Sequence, residues 1–335
     1  MLFRNSIRLL MENFKNVYKI LLYKLVISLV AGALYCAMVL PEALEILNSS
    51  AMQELLTHTK TLFSAFFEAD ATLLSEAKNA IFSTDGALRK VAEVVLAKAT
   101  PILFAFIGCI CVYLLKRFAD TLCYFSVGSV VNDKMSTYAE TPFFASYVAN
   151  LGKASLYAVV YVPVAFALDL LTVGFLLLLV MTVRIFPALF FSMIVLVVMQ
   201  SVKLTLTWLW MPAMTADGKK LRECFRYADR IEKKQVSKIF ATYIVDVYVV
   251  VIVNVIAALC TFGSALLITV PASYLFFVCQ QYVNYYTIKG KKYFITYDRI
   301  ASNPDRGDRE HFFDYIDDTA QDKNVVVQDT TEEKQ

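Results

Sequence analysis

Histidine is almost missing from this sequence, and that excludes several chemistries at once. Only His58 and His311 occur in 335 residues. A membrane metalloprotease needs two histidines one helical turn apart to hold zinc, and a serine protease needs a buried histidine beside its serine. Neither arrangement is present, and both histidines read as solvated. Phosphate-cradling glycine loops are missing too, since no G-x-G-x-x-G or G-x-x-x-x-G-K-[ST] occurs, so an ATP-driven engine within the chain is excluded. Cysteine is present seven times, at 36, 109, 111, 123, 224, 260 and 279, but no pair has zinc-like spacing and none lies in the long polar segment 42–98. The expectation is of single buried thiols, without a disulfide framework. No metal, no cofactor and no catalytic residue is expected, and the chain reads as a non-enzyme.

Charge is also scarce. Charged residues make up 18% and hydrophobic residues 58%, with a mean hydropathy of +0.57. Soluble domains carry about 25% and about 45–50% respectively. A water-soluble fold of this length could not hide that apolar surface, so the bilayer is its natural solvent. The fold class that follows is all-α: a polytopic transmembrane helical bundle with six spanning helices.

Residues 2–19 set Leu2, Phe3, Ile7, Leu10, Met11, Phe14 and Val17 against Arg4, Arg8, Lys15 and Lys19, the spacing of an amphipathic helix on the inner membrane surface. The first span is expected over about Ile20–Leu40, closed by Pro41, as an uncleaved helix rather than a signal peptide. Residues 42–94 form an extracytoplasmic segment that reads as a helical hairpin, broken at Ser83-Thr84-Asp85-Gly86. The remaining spans fall within 95–288. The second is expected over Val95–Leu115, bent at Pro101, and Lys116-Arg117 marks the next inner boundary. Residues 116–153 read as surface-lying. The apolar block from Ala154 to Met211 must hold two helices, with a turn near Thr182–Pro187 or near Gly174. A basic cytoplasmic helix spans 215–238, and a second apolar block over Ile239–Tyr286 turns at Thr261-Phe262-Gly263-Ser264. Residues 289–335 read as a cytoplasmic, largely disordered acidic tail.

Lysine and arginine number four in 1–19, four in 116–153, eight in 212–238 and six from 289 to 310, whereas the outer turns hold at most Arg184. The positive-inside rule therefore puts both termini in the cytoplasm. The same charge balance fits a bacterial plasma membrane.

Three stretches share an amide, an aliphatic residue, any residue, a lysine and an apolar residue: Asn16–Ile20, Asn150–Ala154 and Gln235–Ile239. Each sits where a surface segment would become the first helix of a hairpin. The bundle then reads as three helix-hairpin repeats around an axis along the membrane normal. The alternative is chance added to the ordinary use of lysine at an inner interface. The run from Met211-Pro212-Ala213 through Leu221-Arg222-Glu223 to Lys238-Ile239-Phe240 resembles bacterial multi-pass membrane proteins built of amphipathic-helix plus transmembrane-hairpin units. The resemblance covers the spanning region and carries no activity or catalytic residue with it.

Charges inside apolar spans are the informative residues, because each costs about 2.5–3.5 kcal/mol at mid-helix and usually faces a partner or water. Here they are Asp169, Asp246, Lys203, Lys24 and Arg184, with the polar Asn254. Lys24 and Lys203 are expected to reach the headgroups, and Arg184 to anchor a turn. Asp246 lies at a depth similar to Lys203, and an ion pair between these two is expected. The basic helix offers Lys219, Lys220, Arg222, Arg226, Arg230, Lys233, Lys234 and Lys238 to anionic inner-leaflet headgroups or to an acidic protein partner. A homo-oligomer is compatible, whereas nucleic acid is not expected, since these bases lie between two spans. Two functions fit: a transport or permease-like component for a small solute or lipid, and a non-catalytic scaffold docking through its outer segment and basic helix. A continuous polar face joining Asp169, Asp246 and Lys203 would favour the first. An exposed apolar patch on residues 52–82 would favour the second.

Overall fold

A computed structural model describes residues 2–68, 70–183, 185–228 and 233–301, the side chains of 185, 186, 189, 226–228, 233 and 234 excepted. The helices are α1 (Leu2–Glu12), α2 (Lys15–Leu47), α3 (Ser50–Phe67), α4 (Ala71–Phe82), α5 (Ala87–Ala97), α6 (Ala99–Thr137), α7 (Phe143–Thr182), α8 (Ile185–Thr207), α9 (Trp210–Ala216), α10 (Leu221–Ala228), α11 (Lys233–Thr261) and α12 (Leu266–Ile288). A two-stranded antiparallel hairpin of β1 (Tyr293–Thr296) and β2 (Arg299–Ala301) follows. The fold is all-α in class. Six stretches are long and apolar enough to cross a membrane: Lys15–Leu47, Ala99–Thr137, Phe143–Thr182, Phe190–Ala216, Gln235–Thr261 and Leu266–Ile288.

Several helix limits differ from the sequence expectation. Pro41 does not close the first span, because α2 runs through it to Leu47. Prolines are tolerated inside spanning helices where neighbouring groups take up the freed carbonyl. Pro101 is the third residue of α6, a first-turn position where no helical hydrogen bond is lost. The expected surface segment 116–153 is instead the second part of α6, a short turn, and the first part of α7. At 1.5 Å per residue α6 is about 58 Å long, roughly twice the hydrocarbon thickness. It stops where Tyr138 takes φ 55, and Pro142 then caps α7. The α7–α8 turn falls after Thr182, while Gly174 is mid-helix. The α11–α12 turn runs over Phe262–Ala265, with φ 50 at Phe262 and φ 88 at Gly263.

The chain divides into two compact units, Val26–Arg117 and the combination of Met1–Leu25 with Phe118–Gln335. In the first unit, three helices rather than a hairpin stand between α2 and α6. Ser49 caps α3 by accepting from the Met52 N–H at 3.3 Å. Asp70 caps α4 by accepting from Thr72 and Leu73 at 2.9 and 3.2 Å. Gly86 starts α5, where a Cβ would sit 2.6 Å from the Ile81 carbonyl oxygen. The three helices pack through small residues, Ala51, Ala65, Ala77 and Ala87, whereas Phe63, Phe66 and Phe67 are 58, 67 and 82% exposed.

In the second unit the core is gathered at one end, called here the basic end because α1, α9 and α10 stand there. Its buried side chains come from α6 (Leu122–Met135), α7 (Ala154–Ala165), α9, the first turns of α11, and α12 from Leu275 to Tyr286. α12 is the central helix, with 50% of its apolar window buried against 6–22% in the other five spans. Far from that end, Leu170, Val180, Met181, Ile256 and Leu259 are exposed and would face lipid. α1 packs on α12 and β1 with Asn5, Ser6 and Leu9 buried, rather than lying free on a surface. The hairpin opens the expected acidic tail, whose part beyond Tyr315, read as disordered, lies outside the described residues. In the hairpin Tyr293 is buried and accepts from Asn5 Nδ2 at 3.1 Å. The apolar residue closing each of the three similar stretches, Ile20, Ala154 and Ile239, is buried.

Candidate functional site

The intramembrane charges do not pair as expected. Lys203 of α8 donates to Asp169 Oδ1 of α7 at 2.7 Å, with 9 and 18% of the two side chains exposed. The expected Asp246–Lys203 pair is thus replaced by an Asp169–Lys203 pair. The hairpin explains it: counted from their shared turn, Lys203 stands about 7 Å farther along its helix than Asp169, a gap that a lysine side chain spans. Because α8 packs against both α7 and α11, two acids were available on opposite sides.

Asp246 is left alone. It is 1% exposed on α11, and among the described residues neither carboxylate oxygen has a hydrogen-bond partner. One turn earlier, the Tyr243 hydroxyl lies against the side chain of Asn284 of α12 with Asp246 nearby, a contact that falls short of good hydrogen-bond geometry among the described residues. Gln280 Nε2 donates weakly to Asn284 Oδ1 at 3.4 Å, leaving Gln280 Oε1 and Asn284 Nδ2 unpartnered. Buried polar atoms are almost always hydrogen-bonded, and an uncompensated group costs roughly 1–3 kcal/mol. Four neighbouring side chains here share that deficit. They offer acceptors on Asp246 and Gln280 beside the Tyr243–Asn284 contact, a setting for a small polar donor or for water.

Tyrosines enclose this region. Tyr124 of α6 lies in the neighbourhood of Tyr157, Tyr161, Tyr243 and Tyr282. The Tyr157 and Tyr161 rings stack at 5.2 Å, and Tyr124 meets Tyr274 edge-on at 5.2 Å. The Tyr157 hydroxyl also has no hydrogen-bond partner among the described residues. Lys24 does not run out to a headgroup, because its amine sits 3.6 Å from the Tyr274 ring centroid, a cation–π contact. The tyrosines were missed from sequence. A signal was present, since Tyr23 and Tyr157 each follow the lysine of a similar stretch by four residues.

Asn254 is fully engaged. It donates to Ser273 Oγ at 3.0 Å and to the Val250 carbonyl, and accepts from Thr269 at 2.8 Å. It clasps α11 to α12 farther from the basic end and stands apart from Asp246 by two helical turns.

The basic segment is two helices and a bend. After α9, Gly218 takes φ 64 and α10 starts at Leu221. At the bend Asp217 accepts from Lys291 Nζ at 2.5 Å and from the Tyr285 hydroxyl at 2.6 Å, with Lys219 at 3.6 Å. Partial burial pushes the Asp217 carboxyl up, but the hydrogen bonds from Lys291 and Tyr285 and the two lysine charges outweigh it and hold it below its ordinary value. Lys220 and Arg222 are exposed, as is Lys238 on α11. Arg184 and Arg230 lie outside the described residues, as do the side chains of Arg226, Lys233 and Lys234. All seven cysteines are free; Cys123, Cys224 and Cys279 are buried, while Cys36, Cys111 and Cys260 are exposed.

In comparisons with protein-family models, curated proteins and solved structures, nothing matches this chain.

Proposed function

We propose that this multi-pass membrane protein is a non-enzymatic, transport-related component that takes a small polar solute or a lipid into the polar interior of its basic end. One observation carries the reading: Asp246, Tyr243, Gln280 and Asn284 are buried together, and the Asp246 and Gln280 acceptors have no hydrogen bond among the described residues. Polar groups in spans are retained at a cost and commonly line a substrate or ion path. With lysine and arginine concentrated at that end, the positive-inside rule orients it to the cytoplasm of a bacterial plasma membrane.

The test is thermal stability of the protein in lipid against a panel of ions, small metabolites and headgroup compounds, with Asp246→Asn alongside. A ligand that stabilises the wild type and loses its effect in the variant supports the reading. No response to any ligand, with the variant only less stable, makes Asp246 a packing residue.

A second reading, a membrane scaffold, is favoured by the exposed Phe63, Phe66 and Phe67 on α3. Exposed apolar patches mark protein or membrane contacts. Under it, replacing the three by serine would abolish a stable complex recovered by crosslinking in membranes and leave ligand responses intact.

A further inference from the structure

We propose that the pocket between α7 and the α9–α10 bend binds the anionic headgroup of a membrane phospholipid. The pocket has a volume of about 570 Å³ and is lined by Lys153 and Leu156 of α7 and by Met214, Lys219, Lys220, Leu221, Arg222 and Phe225. That volume is in the usual range for a ligand site. Lys153 and Leu156 are three apart on one helix face. The lysine stands at the bend and the leucine one turn farther into the span. The other wall is held rigidly: Cys224 and Leu221 are buried, and Trp210 packs edge-on against Phe225 at 4.7 Å.

Charge selects the occupant. Among the described residues no acid lines this pocket. Lys219 is answered in part by Asp217, but Lys153, Lys220 and Arg222 have no ion pair among the described residues. Glu223 turns back to accept from the Lys220 backbone N–H. The smaller pocket of about 190 Å³ beside Lys15, Lys19 and Lys134 is different, because Glu140 and Glu12 meet its lysines. A free phosphate would satisfy the cations and leave Leu156, Met214 and Phe225 against water. A zwitterionic lipid would cover the apolar wall and leave net positive charge. An anionic glycerophospholipid answers both at once. This site is separate from the Asp246 cluster and does not depend on the transport reading.

The experiment is native mass spectrometry of the full chain, measuring apparent affinity for phosphatidylglycerol against phosphatidylcholine. Wild type is expected to prefer phosphatidylglycerol. Lys153→Gln/Arg222→Gln should weaken that binding about twentyfold, each cation contributing roughly a fivefold factor. Lys19→Gln/Lys292→Gln, which removes the same charge elsewhere, should leave it within about twofold. Equal loss in both double variants would overturn the pocket in favour of diffuse surface charge. Equal affinity of wild type for the two lipids would overturn it without any variant, so poor folding of a variant does not protect the idea. Displacement of the lipid by soluble glycerol phosphate at comparable concentration would reassign the site to a free phosphate compound.

Discussion

Asp169 and Lys203 answer each other in a place where neither could stand alone. Removing one partner of a buried pair leaves a charge without compensation and costs about 3–5 kcal/mol, while replacing both can be neutral. Asp169→Asn should therefore lower the melting temperature in nanodiscs sharply, and Asp169→Asn/Lys203→Met should recover most of the loss. Additive losses in that double-mutant cycle would mean that the pair has no coupling. Asp217 gives a pH signature. Its carboxyl is held below the ordinary 3.8 in the folded chain. A depressed carboxylate stabilises above the unfolded value, and that contribution disappears as pH falls through the folded value. Asp217→Asn should cost about 1–3 kcal/mol at pH 7, and the gap between its melting curve and the wild type's should close below about pH 4. Burial pushes the Cys224 thiol up to about 11, against the opposing charge of Lys219. The thiolate is the nucleophile, so Cys224 should resist maleimide at pH 7.5 in the folded protein and react once it is unfolded, as read by peptide mass spectrometry.

At the scale of elements, the central question is how α6 comes so close to α9 and α12. Gly128 permits it: a Cβ there would stand 2.7 Å from Met211 Sδ and 2.8 Å from the Tyr282 hydroxyl oxygen. Both side chains are fully buried, and Tyr282 is tied to Thr215 at 2.6 Å. Gly128→Val should destabilise by about 1–3 kcal/mol through overpacking. Met211→Ala should relieve part of that loss, measured by thermal unfolding of the two variants together. The limits of α6 also show where sequence reasoning failed. Residues 116–137 mix apolar, aromatic and charged positions, which is the composition of a helix lying on a membrane. It is equally the composition of a helix entering a protein core beside the membrane, and periodicity does not distinguish the two partners. The turn at Phe262–Ala265 was legible because Gly263 at positive φ interrupts an otherwise unbroken apolar run.

For the whole molecule, packing and lipid divide the labour along each span. In the unit that holds α12, protein–protein burial concentrates at the basic end, and the far halves of its spans expose leucine, valine and isoleucine that hydrocarbon would cover. Phe262 at the far turn is completely exposed. With the orientation proposed above, Phe262→Cys should react with an impermeant maleimide on intact cells, and Lys238→Cys only after permeabilisation, each against a control lacking the introduced cysteine. The reverse pattern would invert the topology.

Class and span number were decided by the sequence alone, because twenty apolar residues in a row have one solvent that suits them, whatever they touch. That Asp246 lies within an apolar span was legible for the same reason. Pairing was not. Whether Lys203 meets Asp169 or Asp246 depends on which helix faces α8 at that level, and only the tertiary structure decided it. The same holds for the solitude of Asp246, the tyrosines around it and the pocket at Lys153, each made of residues far apart in the chain whose proximity is a property of packing.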